Sequence, residues 1–418
     1  MEWGAVQLEA LAIFALVYAL IVLRRVGRHR VEVWMAMLIG AMLFLGMGLM
    51  SLDDAVAAIN SNVMLFLVGM FLVVEVMVQT GLLQFLAVKF IRAAKGPSRM
   101  LLLVIVFVGV ASAFLVNDAV VLVMTPIVIA ACSLVGARKV PYLIAVALSS
   151  NIGSALTPIG NPQNVLIKIE SGIGTLGFMG RMAVPVALGL AAEYIILRAI
   201  YRKDMKGRFG SSLPEAGENL TSRAGACAVG AIGAAAVVGF VTSDLTGWPI
   251  ALTALAGGSA ALLISGDRRR AIKGIDWGTI VFFASMFVVM GAVERSGLVA
   301  GLIEPFSSTL FASGWQSVAS IFGLSAAVSQ VTSNVPFVAF MLPVFRAAAA
   351  DPGQWLALAA GSTLAGNLTL LGAAANVIVL EAAESRGETF SFTEFLKAGL
   401  PTGLVTMAIA GAFLAMVG

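Results

Sequence analysis

The chain contains one histidine, His29, two cysteines, Cys132 and Cys227, and only 11% charged residues among its 418. Each scarcity excludes something. A single histidine in the basic stretch RRVGRHR leaves no histidine cluster for a metal and no material for histidine-based nucleophilic catalysis. Two cysteines far apart, each inside an apolar segment, exclude a disulfide framework and a thiolate metal site. Soluble domains carry roughly 25% charged residues, whereas this chain is 60% hydrophobic with a mean hydropathy of +1.00, so a soluble fold is excluded. No base precedes the first apolar run, which is the wrong charge order for a cleaved signal peptide. No G-x-x-x-x-G-K-[ST] phosphate loop is present, so any ATP coupling requires a separate subunit. The net charge of +4 comes from short basic clusters between apolar runs; it reports topology and not nucleic acid.

What the chain does have is apolar length. Runs fall near residues 5–23, 32–51, 62–80, 100–135, 140–169, 179–200, 224–242, 248–265, 277–295, 312–350, 355–380 and 400–418. Long runs rather than short alternating ones read as helices. Two of them exceed a single span. Run 100–135 carries Asn117, Asp118 and Pro126 in its middle, and run 312–350 carries Thr332, Ser333, Asn334 and Pro336. Polar, non-helical backbone at membrane depth is tolerated only where it lines a cavity, so both read as re-entrant hairpins. The reading is an all-α polytopic membrane protein of about ten spans plus two hairpins.

Basic residues orient it. With the N-terminus outside, 22 of the 26 lysines and arginines fall in inside loops, and only Lys168, Arg181, Arg295 and Arg346 fall elsewhere. That bias is the positive-inside pattern. It puts both termini on the periplasmic side of the inner (plasma) membrane and makes residues 201–223 a cytoplasmic linker between two halves, 1–200 and 224–418.

The halves repeat. Residues 69–82 align with 285–298, matching Met70 with Met286, Phe71 with Phe287 and Gly81 with Gly297. Asn117 falls on Asn334 and Pro126 on Pro343. SNIGSALTPIGNPQNV (150–165) aligns without gaps on STLAGNLTLLGAAANV (362–377), pairing Leu156, Thr157, Gly160 and Asn164 with Leu368, Thr369, Gly372 and Asn376. Each half has five spans and one hairpin, so the second half enters the membrane upside down. Inverted repeats of this kind build secondary transporters, with the substrate at the repeat interface.

The polar interruptions carry the chemistry. Ser149, Ser150, Asn151, Thr157, Asn161, Gln163 and Asn164, with two prolines and two glycines, mark a broken helix within 140–169. A helix unwound there frees amide donors and carbonyl acceptors that hold anions and cations. Asn367, Thr369, Gly372 and Asn376 mark a second break within 355–380, which lacks proline and is expected to unwind less. Small polar residues also permit close helix packing. An intramembrane carboxylate is costly enough to be functional by default. Asp118, at the first hairpin tip, is therefore a proton or sodium carrier, or an N-cap for the helix that follows. Glu75 and Glu193 lie mid-span and serve either helix contacts or coupling; Arg295 beside Glu294 reads as an interfacial anchor.

NDAVVLVMTPIV, SNIGSALTPIGNPQNV, TSNVPF and NLTLLGAAANVI resemble the ion transporter superfamily, specifically the ArsB/NhaD and citrate-transporter-like permeases. The resemblance implies a homodimer, with a scaffold formed by the first spans of each repeat and a moving domain carrying hairpins and broken helices. It also implies substrate and ion sites on Asn117, Asp118, Asn151, Thr157, Asn164, Ser333, Asn334, Thr369 and Asn376. Dicarboxylate transporters of the superfamily have Ser-Asn-Thr at both tips, and this chain has Val-Asn-Asp and Ser-Asn-Val. The arsenite-pump branch shares the Asn-Asp tip.

Electrostatics ranks the cargo. The site assembled so far holds one carboxylate and no fixed base, which suits a neutral hydroxide and leaves a multiply charged anion to amides, helix ends and bound cations. The leading expectation is arsenite or antimonite efflux by proton antiport, with an ATPase subunit as a partner if it is a pump. Next come sodium- or proton-coupled transport of a small anion such as a di- or tricarboxylate, and Na+/H+ antiport. A channel fits an inverted repeat less well, and an intramembrane enzyme lacks paired aspartates or a Ser with His or Lys. No cofactor is expected beyond H+ or Na+ as coupling ion.

Overall fold

The computed structural model describes residues 4–23, 25–26, 29–207, 209, 220–298 and 308–417. Of the linker expected at 201–223, residues 208 and 210–219 lie outside these. The first half comprises α1 (Ala5–Leu23), a short antiparallel pair β1 (Arg25–Val26) and β2 (His29–Arg30), α2 (Val33–Gly46), α3 (Leu52–Ala58), α4 (Ser61–Gln79), α5 (Leu82–Ile91), α6 (Pro97–Phe114), α7 (Asn117–Val135), α8 (Val140–Ser154), α9 (Pro162–Ser171) and α10 (Thr175–Ile200). The second comprises α11 (Arg223–Val241), α12 (Ser243–Thr246), α13 (Ile250–Ile264), α14 (Arg268–Lys273), α15 (Trp277–Arg295), α16 (Trp315–Thr332), α17 (Asn334–Ala347), α18 (Pro352–Ala365), α19 (Ala374–Glu384) and α20 (Phe392–Val417).

Seven described helices, α4, α6, α7, α10, α11, α15 and α20, are long and apolar enough to cross a membrane. Two expected spans are shorter than their apolar runs. Helix α2 has 14 residues and α13 has 15, short of the roughly 20 that a perpendicular span needs. Helix α2 stops where Gly48 adopts φ +72. Both arms of the first hairpin, α6 and α7, are as long as spans. Their tip is nevertheless enclosed by protein: Val116 and Asn117 are buried, and Asn117 N donates to Gly160 O at 3.1 Å. Helix α20 begins at Phe392, well before the expected 400, because its first turns carry Glu394 and Lys397 and it continues through Pro401. Polar residues at the start of a long helix hide its beginning from a hydropathy reading.

The two halves share local detail that a loose resemblance does not produce. Helices α4 and α15 have the same length and start 216 residues apart. Asn60 caps α4 by accepting from Val63 N, and Asp276 caps α15 by accepting from Thr279 N. Just past each helix, Gly81 (φ +76) and Gly297 (φ +74) take the left-handed conformation that glycine permits without steric cost. Packing is reciprocal as well: α6 packs on α8 as α16 packs on α18, α7 on α19 as α17 on α9, and α4 on α13 as α15 on α2.

Charge separates two ends of the molecule. Three of the four bases that broke the basic-loop pattern are matched by acids: Lys168 with Asp244 at 3.0 Å, Arg295 with Asp54 at 2.7 Å, and Arg346 with Glu294 at 3.2 Å and Glu170 at 3.4 Å. At the linker end, Arg138 bonds both Asp204 and Glu394, and Lys139 reaches Glu388.

Candidate functional site

Two breaks in helices build the polar centre. Between α8 and α9 the chain leaves helical geometry over 155–161, and between α18 and α19 over 366–373. The proline-free second break is therefore as extensive as the first, against expectation. Gly366 and Gly372 explain it: an added Cβ on Gly372 would sit 2.9 Å from the Gly366 oxygen, so this turn forms only because side chains are missing.

Each break is closed by an asparagine one turn into the following helix. Asn164 Nδ2 donates to Ser154 O at 3.2 Å and Thr157 O at 3.1 Å; Asn376 Nδ2 donates to Gly366 O at 2.7 Å and Thr369 O at 3.1 Å. The four acceptors stand at matching repeat positions. Carbonyls freed by unwinding are thus satisfied by side-chain amides, as burial demands.

Cross-links then tie one half to the other. Asn151 Nδ2 donates to Asn367 Oδ1 at 2.8 Å and to Asn376 Oδ1 at 3.0 Å, while Asn367 Nδ2 donates to Leu148 O at 3.2 Å. Thr363 occupies the position that matches Asn151, and its hydroxyl oxygen accepts from Asn161 Nδ2 and Gln163 Nε2, both at 3.3 Å. Each broken helix therefore reaches the other half's loop. Thr157 Oγ1 donates to Ala113 O at the end of α6, which pins the first hairpin to the first break; Thr369 Oγ1 donates to Gln330 Oε1 at 2.8 Å, which pins the second.

Several acceptor oxygens remain without a partner: Asn117 Oδ1, Asn151 Oδ1 and Asn164 Oδ1 are buried and unpaired, as are the hydroxyls of Ser112 and Ser150. These five lie on the first hairpin or the first broken helix, and the hydroxyl of Ser329 on the second hairpin is also without a partner among the described residues. Oxygen-only sets of this kind suit a hard cation or a hydroxyl-bearing solute. At the other tip, Ser333 holds φ +68 and ψ +163, a region that side chains rarely adopt, and Asn334 Oδ1 is engaged by Val335 N at 3.1 Å. Strain of this sort concentrates at functional positions.

A cavity of about 1090 Å³ leads to the first tip. Its wall joins α4, α5, α7 and α19 with the turn before α15, and Thr221 of the linker borders it. Among the described residues, Glu75, Asp118, Asp276 and Glu381 line it with one base, Arg386. Asp118 sits in the first turn of α7, whose N-cap position is Val116; it makes no hydrogen bond or ion pair among the described residues. Glu75 accepts from Gln79 Nε2 at 3.3 Å, and a Cβ added to Gly274 would sit 2.7 Å from each of the Glu75 carboxylate oxygens.

The sequence reading missed Asp276, Glu381, Arg386, Gln330 and Thr363. Asp276 and Gln330 carried a signal, one as a cap before a span and the other three residues before the second tip. Glu381 and Arg386 are placed only by the packing of α19 on α7.

Residues 18–365 match the family model described as Citrate transporter. The chain belongs to the citrate transporter family. Relatives across its length include an uncharacterized transporter of Mycobacterium tuberculosis, 30% identical over 97% of both chains, and one of Synechocystis, 24% identical over 97% of both. The P protein of Homo sapiens is 26% identical over 98% of this chain and 60% of its own length. The YdaH transporter of Alcanivorax borkumensis shares the fold at a TM-score of 0.63 and 14% identity, covering 99% of this chain and 98% of that one. This member of the family is therefore a multi-pass membrane transporter and not a catalytic enzyme.

Proposed function

We propose that the protein is a secondary transporter that carries a small carboxylate, with citrate the first cargo to test, together with protons or sodium. The family match carries the carboxylate cargo, and the acidic cavity ending at Asp118 carries the cation coupling. A free multiply charged anion meets four carboxylates and one guanidinium among the described residues of the wall, and Coulomb repulsion at that ratio makes entry depend on accompanying cations. Asp118, unbonded at the hairpin tip, takes the coupling proton or sodium; the unpaired oxygens around Asn117, Asn151 and Asn164 take a cation or the cargo's hydroxyl. The family match favours a carboxylate over arsenite or antimonite.

Alternating access follows from the same layout. The matched caps, loops and reciprocal packing support an inverted repeat with residues 1–200 and 224–418 as its halves, and the cavity reaches only the first tip. With the basic loops inside an inner membrane and both termini outside, this is an inward-facing form. Movement of hairpins and broken helices against a scaffold containing α4 and α15, in a homodimer, would expose the second tip.

The test is solute uptake by vesicles of defined orientation, comparing citrate, succinate, arsenite and sodium under separately imposed proton and sodium gradients. Gradient-driven citrate movement supports the reading. Arsenite movement without carboxylate movement returns the assignment to an arsenite antiporter, and sodium–proton exchange with no solute returns it to a Na+/H+ antiporter.

A further inference from the structure

Glu193 on α10 is wholly buried, and neither of its carboxylate oxygens has a hydrogen-bond partner among the described residues. Helix α10 packs on α20, α8 and α6, with a lighter contact to α11. One turn before Glu193, a Cβ added to Gly189 would lie 3.1 Å from a methyl carbon of Ile152 on α8 and 3.3 Å from one of Thr406 on α20, so the helices nearly touch. Thr402 on α20 has a buried hydroxyl that is likewise unpartnered.

The titratable and charged groups on these elements leave Glu193 alone. Tyr142 of α8 donates to Pro97 O, and Tyr194 of α10 shares a hydrogen bond with Ser98 of α6. Glu394 and Lys397 of α20 line a separate cavity with Arg138. Arg99, Arg181, Arg198, Arg223 and Cys227 complete the set, and none forms an ion pair or hydrogen bond with Glu193 among the described residues.

A carboxylate with neither counter-ion nor donor is very costly to bury, and binding a proton removes most of that cost. The repeat argues against a packing role. With Pro185 of α10 set on Pro401 of α20, Glu193 corresponds to Ile409, so the other half builds the same helix without an acid.

We propose that Glu193 is a second proton-binding site, neutral while the cavity opens at the linker end and deprotonated to water when the α10–α20 contact opens. One proton passes between the carboxyl group and water in each direction. The transport consequence rests on the cation-coupled reading above; the protonation does not.

The experiment is infrared difference spectroscopy on the purified full chain at neutral pH, paired with a pH profile of citrate uptake. The carbonyl band of a protonated acid is expected in the wild type, retained in Asp118→Asn and lost in Glu193→Gln, with Glu193→Leu as the second variant if Gln does not fold. Uptake by Glu193→Gln is expected to lose the wild-type dependence on pH. A wild-type spectrum identical to that of Glu193→Gln, or an unchanged pH profile in the folded variant, overturns the proposal. If the band is lost as expected but wild-type protein moves no carboxylate, the proton site stands and the cargo assignment falls.

Discussion

Asn151 Nδ2 lies 2.8 Å from Asn367 Oδ1, joining two residues 216 apart in sequence through one buried amide. The same nitrogen serves Asn376 Oδ1 at 3.0 Å, so a single side chain holds the second half's loop from both of its ends. Asn151→Ala leaves two buried acceptors unpaired and should destabilise the fold by about 1 to 3 kcal/mol for each. The melting temperature of the purified variant reads this. Asn151→Asp, which cannot donate when ionised, should be no better than alanine.

Gly160 has no room for a side chain. A Cβ there would sit 2.4 Å from Ser154 O and 2.8 Å from Ser112 O, both backbone atoms. Gly160→Ala should therefore push the first break away from the first hairpin and abolish transport, while Gly177→Ala, which meets nothing within 4 Å, should leave it intact. Uptake rates of the two variants check this.

Ser333 is strained where the second hairpin turns. Ser333→Gly relieves a φ of +68 and should raise stability by about 1 to 3 kcal/mol, the cost of such conformations, while slowing transport through loss of the hydroxyl at the tip. A variant with a higher melting temperature and reduced uptake is the expected outcome; a lower melting temperature would show that the conformation is unstrained.

Chemically distinctive pairs are legible in the sequence: Asn117 and Asn334, Asn164 and Asn376, and Gly81 and Gly297 recur in one order, and the last two pairs share matched geometry. Less legible is what comes together from distant segments. Glu381 and Arg386 look like ordinary helix-end residues until α19 packs beside α7. The start of α20 is obscured by Glu394 and Lys397, and the extent of the second break by its lack of proline, since glycine unwinds a helix without announcing it. Asparagines read as solute ligands also proved to have a nearer duty: Asn164 and Asn376 spend their amide protons on their own loops, and only the first leaves an oxygen free.

Asp54, at the end opposite the linker, offers a pH test. The Ser51 hydroxyl and the Arg295 guanidinium hold its carboxyl below the ordinary value of 3.8. A lowered folded value means that its contribution is complete above the unfolded value and fades as pH falls through the folded one. The difference in melting temperature between wild type and Asp54→Asn should therefore be constant at neutral pH and vanish in acid. Its size should be small, because Asp54 and Arg295 are exposed.

The most direct measurement is citrate accumulation in proteoliposomes under an imposed proton gradient, then under a sodium gradient, for wild type and Asp118→Asn. The account predicts that one gradient drives wild-type citrate above its equilibrium level and that Asp118→Asn, folded with an unchanged melting temperature, only equilibrates it. Accumulation by Asp118→Asn at the wild-type rate would contradict the account.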